Sequence, residues 1–317
     1  MQYRELGKTG LKVAPIGFGA SPLGGVYGSL DANEGIRSVH VAIERGVNLF
    51  DTSPYYGDTR SEAFLGKALQ GPWRSKIILS SKGGRIAQST FDFSPKHMEQ
   101  SLDESLDRLK TDYLDIFIAH DIEFADDFDR IWSETVPAME RLKQKGKCRF
   151  IGVSGLPLGL LAEASVKAPI DLVLSYCHFN LLDHTLKDRL APIVKERGLG
   201  LINASPLAMG LLSKSGPPAW HPAPDSIQTA ARRAADYCSG WNVDIATIAV
   251  QFSVLDPAIP VTLIGMKTAA EVEQNLAALD ATIQSELLEE VRSILAPVQG
   301  KTWPSGNWPL EADLIAK

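Results

Sequence analysis

The chain has 317 residues, 44% of them hydrophobic and 22% charged, with a formal net charge of −6. That is ordinary globular composition, and the acidic balance argues against a nucleic-acid partner or an anionic membrane surface. No apolar run approaches the roughly 18 residues that a membrane helix needs, and the N-terminal "MQYRELGKTG" has charges and a turn where a signal peptide would carry an apolar core. Cys148, Cys177 and Cys238 are odd in number, widely spaced and without a CxxC pattern, so reduced packing thiols in a cytoplasmic protein are expected. No metal site is read from the sequence.

In chain order, "QYRELG", the turn "KTG" and "LKVAPIGFG" predict an N-terminal hairpin. Apolar strand candidates then alternate with helical periodicity: "IGFGA" (16–20), "NLFD" (48–51), "IILSSK" (77–82), "YLDIFIAH" (113–120), "RFIGVS" (149–154), "DLVLSY" (171–176), "GLINAS" (200–205) and "VTLIG" (261–265). Ser94-Pro95 reads as a cap and first-turn proline. The helix it opens has Met98, Leu102, Leu106 and Leu109 on one face. The next helix carries Phe128, Ile131, Trp132, Val136, Met139 and Leu142, with a kink expected at Pro137 and a stop at Gly146. The stretch from 207 to 226 is too long and too rich in Pro and Gly for a plain connector, and reads as a lid-like loop. Thr268 and Glu271 have capping-box spacing and open the last barrel helix, with Val272, Leu276 and Leu279 facing inward. The tail after Ala296 is irregular and holds two tryptophans.

Eight strands alternating with helices predict a parallel sheet with crossover helices. A doubly wound sheet is the competitor, but "GFGAS" is not GxGxxG and "GGVYG" follows no suitable strand-to-helix turn. The fold class is therefore α/β, a (β/α)8 TIM barrel with an N-terminal β-hairpin and an irregular C-terminal tail. One barrel domain is expected over residues 1–317.

Chemistry in such a barrel gathers at the C-terminal strand ends. Asp51 ends the second strand, Tyr56 follows in the next loop, Lys82 ends the third strand and His120 the fourth. Neighbouring strands are about 4.8 Å apart, so the four side chains should converge. A free phenol, with a pKa near ~10, carries protons poorly at neutral pH. An adjacent ammonium is expected to lower it, with a carboxylate holding the lysine charged and aimed. A shift of about three units needs roughly 4 kcal/mol of differential interaction. The histidine can orient the same substrate oxygen. Each residue alone has an ordinary structural explanation; three consecutive strand ends carrying these types together point to proton transfer at an oxygen coupled to hydride transfer at carbon.

"DTSPYYG", "SSKGGR", "YLDIFIAHD", "RFIGVSG" and "ASPLAMGLL" resemble, in order and spacing, signature regions of the aldo-keto reductase superfamily, and loop segments such as "HDIEF", "LSYCHFNLLD" and "TWPSG" resemble its sugar dehydrogenases. The resemblance implies a nicotinamide cofactor bound without a Rossmann motif and a catalytic tetrad of Asp51, Tyr56, Lys82 and His120. It also implies oxidation of a cyclic aldose at C1 to a lactone. Ser154-Gly155 stands where a Ser-Asn pair usually holds the carboxamide, Tyr176 where a glutamine is usual, and Ala204 where a tyrosine usually stacks. Tyr176 is expected to supply the missing aromatic face. Phosphate contacts are expected from amides of Ser205, Leu207 and Gly210, and from Gly265, Met266, Lys267 and Thr268 at a helix N-terminus, with Asn275 further along that helix. Glu271 occupies a position where NADP-selecting members commonly have arginine. A carboxylate there favours NAD, although a capping box explains it equally, and Lys267 nearby weighs the other way. Candidate substrate-binding residues are Tyr27, Tyr55, Asp121, His178 and Trp303, with Trp308 as a further tail candidate. L-galactose, L-fucose and D-arabinose share their configuration at the reacting end and are not separated by the sequence. The expected partner is a small-molecule aldose, the expected state a monomer or weak homo-oligomer. An NADPH-dependent carbonyl reductase and a cofactor-binding regulatory subunit remain as alternatives.

Overall fold

The computed structural model describes residues 1–26, 28 and 30–309. Eight parallel strands close a barrel in chain order: β1 (Ile16–Gly19), β2 (Leu49–Asp51), β3 (Ile78–Gly83), β4 (Leu114–Ala119), β5 (Cys148–Gly155), β6 (Leu172–Tyr176), β7 (Gly200–Ala204) and β8 (Val261–Gly265), which returns to β1. Each falls on the segment its apolar run predicts, because strands covered on both faces need apolar residues at nearly every position.

The outer faces pack against helices. Ser94 caps Pro95–Leu109 by accepting a hydrogen bond from the His97 amide at 3.2 Å, and Met98, Leu102 and Leu109 are buried. Each such side chain contributes about 1.5–3 kcal/mol by leaving water. Pro137 lies at the start of Val136–Gln144, after a widened π turn at Ile131–Thr135. The widened turn accommodates the missing proline N–H.

Inside the barrel, Leu6, Leu11 and Val13 from the hairpin of Arg4–Glu5 with Lys12–Val13 join Leu49, Ile116 and Ile202 in one buried cluster. The hairpin thus plugs the N-terminal mouth. The cleft opens at the C-terminal mouth.

Three features were not expected from the sequence. Arg85–Ala87 pairs antiparallel with Thr90–Phe91 just beyond β3. Two helices, Asp225–Gly240 and Ile245–Leu255, lie between β7 and β8. The first buries mostly alanines (Ala230, Ala231, Ala234, Ala235) together with Ile227 and Cys238. The loop before it does border the open mouth, through Leu207, Met209, Ser213, Pro218 and Trp220.

Candidate active site

Strand register builds the site. Asp51 pairs with Ser80, and Lys82 lies two residues further along β3, on the same face. The Ser80 hydroxyl donates to Asp51 Oδ2 at 2.8 Å, and Lys82 Nζ donates to Asp51 Oδ1. The same ammonium donates to the Thr52 carbonyl at 2.8 Å and to Tyr56 Oη at 3.2 Å. Its three protons are thereby used, and the side chain is 1% exposed. Burial would push Lys82 down, but Asp51 and Tyr56 carry it upward, so it stays charged. Tyr56 reaches the lysine because Gly57, at φ 66°, presses against the preceding turn. A Cβ at Gly57 would lie 2.0 Å from the Gly24 carbonyl oxygen.

The phenol does not follow the expectation. Burial pushes Tyr56 upward, the nearby Lys82 offsets this only in part, and Asp51 and Asp121 add to the rise. The group is a protonated phenol in the free protein. One ammonium shared with a carboxylate does not outweigh desolvation.

His120 stands edge-on to Tyr56, with ring centroids 5.6 Å apart. Its Nδ1 lies 3.0 Å from Ser53 Oγ, which also accepts from the Tyr55 amide at 3.1 Å. With the Ser53 hydroxyl donating to Nδ1, the imidazole proton would sit on Nε2, which faces Asp121 Oδ2 at 3.6 Å. Burial, then Lys82 and Arg85, hold His120 well below its ordinary value, so the ring is neutral.

Beyond His120, the chain enters the left-handed region at Asp121 (φ 56°), whose amide donates to Ser154 Oγ at 3.1 Å. Arg85 Nη1 donates to Asp121 Oδ2 at 2.5 Å, and its guanidinium lies 3.8 Å from the Tyr55 ring centroid. Glu123, fully buried, gathers three donors on Oε1: the Leu156 amide (3.1 Å), Tyr176 Oη (3.1 Å) and Ser305 Oγ (3.0 Å). Its Oε2 lies 2.8 Å from where a Cβ of Gly155 would stand. The carboxylate fills the space that a larger residue at 155 would claim.

Asp51, Tyr56, Lys82, His120, Arg85 and Asp121 line a cleft of about 1150 Å³. Ser154, Tyr176, Ser205, Leu207, Gly210, Gly265, Lys267 and Glu271 also line it, as do Tyr55 and Trp303. Ser154 Oγ accepts from the Asp121 amide, and Tyr176 is pinned by its hydroxyl at the cleft wall.

Other expected contacts are corrected. His178 is set apart from the cleft. It is buried, with Nδ1 3.0 Å from Asp183 Oδ2 and 3.2 Å from Thr185 Oγ1, because Cys177 turns the chain at φ 63°. Met266 is buried in the core, and its amide donates to the Gly19 carbonyl at 3.3 Å. The Lys267 and Thr268 amides donate to Glu271 Oε2 at 2.7 and 3.2 Å, and the Ala269 amide to Glu34 Oε1 at 2.8 Å. The Gly210 amide donates to the Leu207 carbonyl. These amides are spent within the chain. Thr268 caps the helix through Oγ1, and Asn275 is half-buried outside the cleft lining. Tyr27 lies outside the described residues. Trp308 packs edge-on against Phe128. Sequence reasoning missed Ser53, Arg85, Glu123 and Glu34. A charge directly after Gly83-Gly84 at a strand end was the one local signal, and it marked Arg85.

A closed parallel barrel with aspartate, tyrosine, lysine and histidine joined at its C-terminal mouth is the architecture of an oxidoreductase working between carbonyl and hydroxyl. The chain belongs to the aldo/keto reductase family, whose pattern matches residues 15–296, and that family uses nicotinamide cofactors. It is 47% identical to L-galactose dehydrogenase of Arabidopsis thaliana over 316 residues, covering 96% of this chain and 98% of that one. D-arabinose 1-dehydrogenase of Saccharomyces cerevisiae is 33% identical, covering 68% of this chain and 67% of its own. A solved aldo-keto reductase from Bacillus halodurans, in its holo form, superposes with a TM-score of 0.76 at 25% identity, over 97% of this chain and 100% of that one.

Proposed function

We propose that the protein oxidises L-galactose, or a close stereochemical relative such as L-fucose or D-arabinose, at C1 to the aldonolactone, with NAD as cofactor. The observation that carries this reading is the Asp51–Lys82–Tyr56 hydrogen-bond chain beside His120, in a chain 47% identical along nearly its whole length to an L-galactose dehydrogenase. When bound, NAD would supply the hydride acceptor. Ser154 and the Tyr176 ring would hold its nicotinamide end.

His120 Nε2–H donates to the reacting oxygen and orients it. Tyr56 Oη takes the hydroxyl proton as the oxygen becomes a carbonyl. For this Tyr56 acts as the phenolate, its own proton having left to solvent: Lys82 stabilises that phenolate, Asp51 keeps the lysine charged and aimed, and uptake of the substrate proton returns the neutral phenol. The phenol, raised by burial, is protonated in the free protein and must lose its proton before it can act as the base. Ser53 is a positioning residue in this scheme. Ser53→Ala is expected to lower kcat about tenfold, with KM and NAD affinity little changed, because the wrong tautomer becomes accessible. Steady-state kinetics and a shifted acid limb of the pH–rate profile check it.

Preference for NAD over NADP is supported by the capped helix. A 2′-phosphate would meet two carboxylates, Glu271 and Glu34, and amides already donating to them. A ribose hydroxyl can instead donate to a carboxylate. The test is a panel of L-galactose, L-fucose, D-arabinose and simple aldehydes, with each cofactor. A kcat/KM at least about tenfold higher with NAD than with NADP is expected, about 1.4 kcal/mol of discrimination. Equal efficiencies, or turnover confined to simple aldehydes with NADPH, would replace this reading by that of a general carbonyl reductase.

A further inference from the structure

We propose that Arg85 and Asp121 form a clamp for the hydroxyl on the carbon next to the reacting one, making Arg85 a specificity-determining residue that selects polyhydroxylated aldoses over 2-deoxy sugars. This inference rests on the aldose reading above and deepens it.

The geometry places the pair beside the reacting oxygen. Asp121 Oδ2 lies 3.6 Å from His120 Nε2 and 2.5 Å from Arg85 Nη1, so imidazole and guanidinium meet at one carboxylate oxygen. A substrate oxygen held by His120 and Tyr56 therefore brings its neighbouring hydroxyl to the Arg85–Asp121 pair. A hydroxyl both donates and accepts, and the pair offers one group of each kind. Asp121 holds Arg85 Nη1, while Arg85 Nε is buried and has no hydrogen-bond partner among the described residues.

The arginine is held rigid. Tyr55 stacks on it at 3.8 Å, and the Phe91 and Phe124 rings lie 5.4 and 5.6 Å away. Asp121 keeps a left-handed backbone, which costs a non-glycine residue stability and concentrates at working sites. Both residues line the cleft. An ion pair whose only task was to fasten the hairpin would need neither the strained backbone nor a place on the cleft wall.

The experiment compares kcat/KM for L-galactose and 2-deoxy-L-galactose, with NAD, in the native protein, Arg85→Met and Arg85→Lys. NAD affinity is measured separately by protein fluorescence quenching. A hydrogen bond to a charged group predicts that the native protein prefers L-galactose by about 30-fold. Arg85→Met is expected to cut this ratio below about 5-fold, mainly through a higher KM for L-galactose, with the NAD Kd within about twofold. Arg85→Lys keeps the charge but not the fork and should fall between, which also covers a poorly folding methionine variant. An unchanged ratio in both variants overturns the clamp while leaving the aldose reading in place. Parallel losses on both sugars together with weakened NAD binding overturn it in favour of a purely structural arginine. A native protein that oxidises neither sugar removes the aldose reading and this inference with it.

Discussion

Substitution of Lys82 by methionine is expected to lower kcat/KM for aldose oxidation by about 10³-fold or more, the upper range for losing a positioned proton-transfer system. Lys82 Nζ is the common donor to Asp51, Thr52 and Tyr56, so its loss leaves the phenol without a partner for its ionised form. It also leaves the Asp51 carboxylate, 3% exposed, buried without its cation. Breaking a buried pair costs about 3–5 kcal/mol of stability, enough to confuse lost activity with lost fold. The double variant Asp51→Asn/Lys82→Met removes both charges and should recover much of the melting temperature without recovering turnover. Tyr56→Phe tests the same chemistry with no charge left behind and should be comparably inactive. Near-native turnover in a folded double variant would end the proton-transfer assignment.

Glu123 produces the second large effect, on stability. Burial, reinforced by Asp121, pushes its carboxyl up to about 8, despite the hydrogen bonds from Leu156 and Ser305. An unfolded glutamate titrates near ~4.3. Between these values the folded protein keeps a proton that the unfolded chain has released. Stability therefore declines as pH rises through this window and levels off above about 8. At 1.36 kcal/mol per unit the full span is at most about 5 kcal/mol. Glu123→Gln retains an acceptor for Leu156, Tyr176 and Ser305 but cannot ionise. Its melting temperature should start at or below the native value near pH 5, because the amide brings an unsatisfied donor against Gly155. It should then hold nearly level to pH 9 while the native protein falls, so the curves converge or cross. Parallel slopes for the two proteins would show that Glu123 does not carry the pH dependence.

The barrel and the tetrad were legible because both are written locally. Each strand is a short apolar run, and Asp51, Lys82 and His120 each stand at or directly after the end of one, so position along the chain already implies position at the rim. The capping box at Thr268 and Glu271 was legible for the same reason, since its partners are three residues apart. What that box does to the cofactor site was not. Glu34 reaches the same helix end from 235 residues away. His178 shows the converse failure: its nearness in sequence to β6 suggested the cleft, and a single backbone turn at Cys177 removed it.

By itself, the sequence determined eight alternating strand and helix units and the four residue types that meet at the C-terminal mouth. Those follow from periodicity and from the polarity of parallel strands, which are properties of neighbouring residues. The tertiary structure alone decided that burial outweighs Lys82 at the Tyr56 phenol, that Arg85 meets Asp121 beside His120, and that Glu123 joins the tail at Ser305 across 182 residues. Desolvation and long-range hydrogen bonding depend on which distant segments exclude water from one another, and that is settled only when the barrel closes.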